Sequence, residues 1–581
     1  MRNILKYVKK YWYFAILAPI FMIVEVLMDF MLSQYMEKTV DYGIQASNLD
    51  NVIKYGMMML LIVFIGVTAG ILAGVFTNIC AYKFSNDLRK DLFKKIMNLS
   101  LAQAHDFKTG SLITRVTNDI TQIQNMVSMA LRGLIRNLSF CIFGVIFTLM
   151  ISKDFGIVLI ILLPIEIIAT FIFIKLVFPI FKIIQQKLDK VNTVMHENVD
   201  GARVVKAFGK ESYEYDRFKK SNDDYTEQNL YVSKKSAFFI PFVTLLIYCA
   251  QMIIFYLGGT SIINEFKNPT NGDFLMIGEV TQAISYIVMI STSVIMLGNL
   301  FTNIAKALAS TTRINEILNA KIEIDDGNIT DEDLKEHGTL EFKNVSFKYK
   351  NNISNKLKNI NFKINEGETV AIVGTTGSGK STLVDLIIRF YDPTEGEILV
   401  DGYNIKDFKK SVLRDKISLC LQKSELFLGS IEENIKFGKL DANKKEVIEA
   451  ANIAQATEFI ELKENKFEEN VGEKGSQLSG GQKQRISIAR AIIKKPEILI
   501  FDDSTSALDL KTEASLYEAL NKKYPNTTKL IVAQRIATAK NASKIIVLNN
   551  GEIEAFDTHE NLMKNSSLYK EIYSSQLKVV D

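Results

Sequence analysis

At 581 residues the chain exceeds what one ordinary core encloses, so two large domains are expected. A net charge of +4 over that length gives no case for a nucleic-acid partner. Cys80, Cys141, Cys249 and Cys420 are far apart and form no CxxC pair, so they read as unpaired thiols rather than a metal site. Apolar residues make up 48% of the chain but are unevenly spread. The first three hundred or so residues hold long apolar runs, and the remainder alternates short apolar segments with Gly and charge.

A basic start, Met1–Lys10, leads into an apolar segment of full membrane length, which argues against a cleavable signal peptide. Six segments have the ~20 apolar residues needed to cross a ~30 Å hydrocarbon core. They are Trp12–Met36, Val52–Tyr82, Leu134–Ile151, Phe155–Ile180, Phe238–Ile263 and Leu275–Phe301. Lys and Arg crowd the N-terminus and the 2–3 and 4–5 connections, which predicts cytoplasmic termini and three short outer loops. The two inner connections are long, yet Phe84–Ser100 and Lys182–Glu197 keep apolar positions at helical spacing. Each pair of spans is therefore expected to continue into the cytoplasm as long helices joined by a short transverse turn. Glu25, Asp29, Glu166 and Glu279 lie inside the spans, where a charge costs ~2.5–3.5 kcal/mol. Glu25 and Asp29 share one helix face and read either as a cation-attracting patch or as interhelical packing, in even balance. For Glu166 and Glu279, packing is the better reading.

Residues 1–320 thus form an α-helical six-span domain, 321–338 a polar acidic linker, and 339–581 an α/β domain of alternating strands and helices. The strongest motif of the α/β domain is Gly374-Thr375-Thr376-Gly377-Ser378-Gly379-Lys380-Ser381-Thr382, after the apolar run Thr369–Val373. It fits the phosphate-loop pattern in full. Such a loop curls its N–H groups around phosphates at a helix N-terminus, with Lys380 addressing the outer phosphates and Ser381 a Mg²⁺ ion. A second apolar run, Ile498–Phe501, ends in Asp502-Asp503, and Asp502 is placed to hold Mg²⁺ through water. Leu478-Ser479-Gly480-Gly481-Gln482 opens a basic helix between the two.

In order and spacing these motifs resemble the nucleotide-binding domain of ABC transporters, a P-loop NTPase, over essentially the whole second half. The resemblance implies ATP and Mg²⁺ as ligands. It places Tyr349 on the adenine, Gln422 at the Mg²⁺ ion, Leu478–Gln482 as the signature, and Ser506-Ala507-Leu508-Asp509 at a dimer interface. The first half resembles the exporter subtype. Phe107-Lys108-Thr109-Gly110, Arg115 and Asn118-Asp119 match its first inner loop, and Gly201, Val204 and Lys206–Glu211 its second. By that resemblance the two loops carry the coupling helices.

Two positions depart from the family pattern. Where it has Glu as general base this chain has Asp503, and where it has a switch His this chain has Gln534. Asp draws the carboxylate back by about 1 Å, a displacement that can cost ~10²-fold in rate. Gln donates a hydrogen bond but cannot become a cation. The phosphate loop is intact, so ATP binding with slow hydrolysis is expected. ABC motors pair head to tail, each ATP lying between one loop and the other chain's signature. The expected partner is therefore an unlike ABC half-transporter whose competent site is completed by Ser479, Gly481 and Gln482. A homodimer with two slow sites and an ATP-gated channel or regulatory subunit are the alternatives. The expected cargo is an amphipathic drug, lipid or peptide, and the expected location is a bacterial cytoplasmic membrane.

Overall fold

A computed structural model of the chain describes residues 2–267, 276–330, 337–350 and 352–577. Residues 268–274 of the predicted outer 5–6 connection, Leu275 and residues 331–336 of the predicted linker lie outside them. The chain divides into two compact units, one of residues 1–98 and 108–320, the other of 99–107 and 321–581.

The first unit holds six helices long and apolar enough to cross a membrane. The first span is Trp12–Thr39 and the second Leu49–Met97. The third is Ile135–Ile151 and the fourth opens Lys153–Asp200. The fifth is Phe239–Lys267 and the sixth opens Ile277–Asn319. Helical spacing of apolar residues past the spans keeps the second, fourth and sixth helices unbroken for 49, 48 and 43 residues. The second and fourth helices are followed by breaks: Lys108 takes φ 59° after the short helix Leu101–Phe107. Gly209, at φ 59°, takes the same left-handed form beyond the short helix Ala202–Ala207, a conformation that glycine adopts at little cost.

Glycines set the contact between the first two spans. Gly66, Gly70 and Gly74 recur every four residues on the second helix. A Cβ on Gly66 would come within 3.1 Å of Met28 Cβ, and one on Gly70 within 2.9 Å of the Glu25 carboxylate. Small residues at this spacing let membrane helices approach closely, where apolar burial alone gives no drive to associate. The first, third and sixth spans meet at Phe30, Phe140, Phe147 and Tyr286, with Phe30 4.9 Å from the Tyr286 ring in an edge contact. Gln282 donates to the Tyr286 hydroxyl at 2.6 Å, which in turn donates to the Phe30 carbonyl at 3.2 Å. Beyond the spans, Asp119 accepts from Ser310 and Arg313, and Arg115 pairs with Glu316 at 2.9 Å. Two loop residues that match the exporter pattern, Arg115 and Asp119, thus fasten the chain to the end of the sixth helix.

In the second unit, β1 (Leu340–Phe347), β2 (Leu357–Ile364), β4 (Glu395–Val400) and β5 (Tyr403–Asn404) form an antiparallel sheet ordered β2-β1-β4-β5. The main sheet has the order β10-β9-β3-β8-β7-β6. Its strands are β3 (Thr369–Gly374), β6 (Ile417–Cys420), β7 (Ile498–Asp502), β8 (Thr528–Val532), β9 (Lys544–Asn549) and β10 (Glu552–Asp557). All neighbours from β9 to β6 are parallel. Their apolar runs serve two cores at once, because successive side chains point to opposite faces. Val370, Ile372, Ile498, Ile500, Leu530 and Val532 enter one core, while Ala371, Val373, Leu499, Phe501 and Ile531 enter the other. Lys321–Thr330 of the predicted linker groups with this unit. Ile329 donates to the Asp407 carbonyl at 2.8 Å and its carbonyl accepts from Lys409.

Candidate functional site

The strand order delivers the site. β8 lies between β3 and β7, and β6 flanks β7, all parallel. Their carboxyl ends therefore open on one edge, where ligands of doubly wound sheets collect. Gly374 leaves β3, Asp502 ends β7, Gln534 follows β8 and Gln422 follows β6.

The loop after β3 leads into the helix Lys380–Ile387. A Cβ at Gly374 would sit 2.2 Å from the Leu548 carbonyl oxygen, so only glycine lets the backbone turn there. Gly379, at φ 110°, caps the helix. Lys380 folds back to donate to the carbonyls of Gly374 at 2.7 Å and Thr375 at 3.0 Å. Burial pushes its pKa down, against the pull of the Asp502 and Asp503 carboxylates. A cavity of about 500 Å³ is lined by Gly374–Gly377, Gly379–Thr382, Gln422 and Gln534. The Ser378 hydroxyl is buried against Gly374, with no hydrogen-bond partner among the described residues, and Ser378 does not line this cavity.

Burial, then the Asp503 charge, raises the Asp502 pKa, and the nearby Lys380 charge and Ser381 hydroxyl oppose that. Asp503 has φ 49°, and its carboxylate accepts from Gln422 Nε2 at 3.0 Å. Burial raises its pKa too, and the Gln422 bond opposes that. Hydroxyl, carboxylate and amide oxygens within one cluster are the hard donors Mg²⁺ takes.

The structure gathers Gly374–Thr382, Gln422, Asp502, Asp503 and Gln534 at this edge. It does not bring Tyr349 to the same cavity wall. Tyr349 hydrogen-bonds through its hydroxyl to Thr382 Oγ1 at 3.0 Å and meets Tyr391 edge-on at 5.3 Å. With Phe390 and Tyr391 it lines a neighbouring groove of about 460 Å³ beside His105 and Asp106 of the Leu101–Phe107 helix. Ser479, Gly481 and Gln482 are also absent from the phosphate-loop cavity. Ser479 caps the helix Gly480–Ile492 and exchanges two bonds with Gln482, at 3.0 and 3.4 Å. Gly481 approaches the Ala507 carbonyl, to which a Cβ would come within 3.1 Å.

Sequence reasoning missed Gln576. On the helix Ser567–Leu577, its amide accepts from Ile536 N–H at 2.8 Å and donates to the Gln534 carbonyl at 2.7 Å. No motif spacing points to it, because the contact joins segments that only the fold brings together. Lys356, which donates to the Gly377 carbonyl at 2.6 Å, was missed for the same reason.

In the first unit the four acidic residues of the spans resolve differently. Glu279 caps its own helix by accepting from Met276 N–H at 2.8 Å, and Glu166 is buried beside Ser291. For Glu25 and Asp29 the cation-attracting reading is corrected: Arg136 of the third span lies 3.4 Å from Glu25 and 3.9 Å from Asp29. The acids therefore already hold a cation supplied by a neighbouring helix. The missed signal was an arginine inside a predicted span.

A strand–phosphate-loop–helix unit with an acidic strand end, joined in one chain to six apolar spans, defines an ATP-binding membrane protein. Residues 15–294 match the ABC transporter transmembrane region and residues 357–506 the ABC transporter ATP-binding family. The chain is 38% identical to the ABC transporter ATP-binding protein YfiB of Bacillus subtilis, covering 99% of this chain and 98% of that one. It is 32% identical to ATP-dependent lipid A-core flippase 1 of Colwellia psychrerythraea, covering 99% and 96%. It superposes on a bacterial Atm1-family ABC exporter with ATP bound at a TM-score of 0.79 and 24% identity, covering 98% and 99%. The chain belongs to the ABC transporter family. It is a multi-pass membrane protein of exporter fold whose ATPase domain couples ATP hydrolysis to transport.

Proposed function

We propose that this chain is the nucleotide-holding subunit of a heterodimeric exporter in a bacterial cytoplasmic membrane, with its termini and ATPase domain in the cytoplasm. It moves an amphipathic drug, lipid or peptide. Similarity to a lipid A-core flippase supports a lipid-like cargo.

One observation carries the subunit assignment: Asp503 and Gln534 stand at the two positions that address the γ-phosphate. The Asp503 carboxylate is short and already held by Gln422 at 3.0 Å, so it is poorly placed to take a proton from an attacking water. Gln534 offers that phosphate a neutral amide. The phosphate loop, Lys380, Ser381 and Thr382 keep every group needed to bind ATP. Tyr349, beside Thr382 of the loop, would stack on the adenine. Ser381, Asp502 and Gln422 would hold Mg²⁺, which would supply charge neutralisation to the phosphates when bound. Ser479, Gly481 and Gln482 do not line the cavity of their own loop and serve the loop of the partner.

The test is hydrolysis by the purified pair. Changing Ser479→Arg should remove most turnover, because it blocks the partner's site, whereas Asp503→Asn should leave more than half of it. Equal losses would refute the assignment.

A further inference from the structure

The membrane unit contains two adjoining cavities, of about 580 and 790 Å³, that share Asp29, Gly74, Asn78 and Arg132. The larger is lined by two arginines, Arg132 and Arg136, and one carboxylate, Asp29. Arg136 is engaged by Glu25 and Asp29. Arg132 is exposed to the cavity and has no carboxylate within ion-pair distance among the described residues. It lies nineteen residues before the end of the third span at Ile151, about 28 Å along a helix, at the inner rim of a ~30 Å hydrocarbon core. A guanidinium costs ~2.5–3.5 kcal/mol at the bilayer centre and less towards the rim, and intramembrane charges mark ligand pathways when nothing in the protein pairs them. Arg132 also sits in a π-helical turn, Met129–Leu134, a local widening that recurs at functional sites. Opposite it the chain carries Gly74, whose missing side chain leaves the guanidinium free approach, with a Cβ there 3.9 Å from Arg132 Nη1.

We infer that Arg132 is the head-group site of this cavity and that its ligand is an amphiphile with one anionic group, phosphate or carboxylate. The guanidinium fork matches either anion through paired hydrogen bonds. Asn78 and Asn137 add amide groups beside it, and Met289, Met296 and Leu300 line the same cavity for an alkyl chain. Its volume is that of a site for a drug-sized or single-chain ligand. The choice of an anion reverses what Glu25 and Asp29 suggest alone, because Arg136 already takes up the acids. The inference rests on the exporter reading and names its substrate class.

The test uses the co-purified pair in phosphatidylcholine nanodiscs, with dodecyl phosphate, dodecanoate, dodecyltrimethylammonium and dodecyl maltoside as probes of ATPase stimulation. At least one of the two anions should half-stimulate at about tenfold lower concentration than the ammonium probe, the worth of one charge-assisted contact. A phosphate preference over dodecanoate identifies a phospholipid-like ligand, and equal response identifies an acidic amphiphile at large. Arg132→Gln should bring all probes within about twofold, and Arg132→Lys should retain part of the preference. Preference for the ammonium probe, or an unchanged ratio in Arg132→Gln, overturns the inference. So does dissociation of the pair in Arg132→Gln with an unchanged ratio in Arg132→Lys, which would make Arg132 an interface residue. Charge-blind stimulation with ATP-driven transport intact sinks only this inference, while ATP hydrolysis with no transport of any probe or lipid sinks the exporter reading.

Discussion

At Asp503 the backbone turns into the left-handed region, φ 49°, where aspartate is tolerated better than longer side chains. Geometry and chemistry conflict at this point: the longer carboxylate that would reach a water sits less easily on that backbone. Restoring both groups, Asp503→Glu with Gln534→His, should raise hydrolysis at this chain's own loop by about tenfold or more. The change is read as ATPase activity of the pair with its other site silenced, and a flat response would remove the mechanism proposed for slow turnover. Asp385, in the helix after the phosphate loop, poses a different problem. Burial, then the Asp502 charge, pushes its carboxyl up to about 6. A folded-state pKa above the ordinary 3.8 means that folding favours the protonated form. Its contribution to stability therefore grows as pH falls from about 6 towards 4, and above pH 6 the buried charge is a cost. Asp385→Asn should raise stability at pH 7.5 by on the order of 1–2 kcal/mol and flatten the pH profile between 6 and 4. Thermal melts of the nucleotide-free protein at several pH values would show both effects.

Among elements, the first two spans depend on the glycine stripe of the second. Gly70→Leu would drive a side chain into the seat of Glu25 and separate that acid from Arg136, with an expected loss of about 1–3 kcal/mol. Gly56→Leu, on the same helix with nothing within 4 Å of its Cβ, is the matched control and should leave the melting temperature unchanged. At the inner end of the bundle, the Asp119 side chain is nearly buried and holds Ser310 and Arg313. Asp119→Ala strands those donors and should cost about 2–3 kcal/mol, measured as a lower melting temperature in detergent. How much of this was legible in the sequence divides along physical lines. Apolar length disclosed the spans, and charge-interrupted helical spacing disclosed their long cytoplasmic continuations. The phosphate loop, the acidic end of β7 and the signature helix were legible because each needs fixed residue types at fixed local spacing. Arg136 against Glu25, and Gln576 against the Gln534 loop, were not, because they join residues more than forty apart through packing. Tyr349 was placed by analogy, and its hydroxyl bond to Thr382 follows from the neighbouring Phe347 and Tyr391 rings, which no local motif encodes.

The whole molecule combines a membrane unit whose cavity is lined by an arginine with no ion-pair partner among the described residues and an ATPase unit with an intact phosphate loop. In the proposed heterodimer, turnover belongs to a site that this chain completes but does not own. Without the partner's phosphate loop, the signature residues Ser479, Gly481 and Gln482 have no phosphate to address, and the capping bonds of Ser479 with Gln482 simply hold them in shape. The purified chain alone should therefore bind ATP and turn it over at a small fraction of the rate of the pair, a difference of about 10²-fold. The most direct measurement is affinity purification of the full chain from its native membrane, with sequencing of whatever ABC half-transporter accompanies it. One unlike chain should come down in equal amount, carrying Glu and His at the positions of Asp503 and Gln534. Recovery of this chain only as a pair with itself, hydrolysing ATP at the full rate, would contradict the proposed heterodimer.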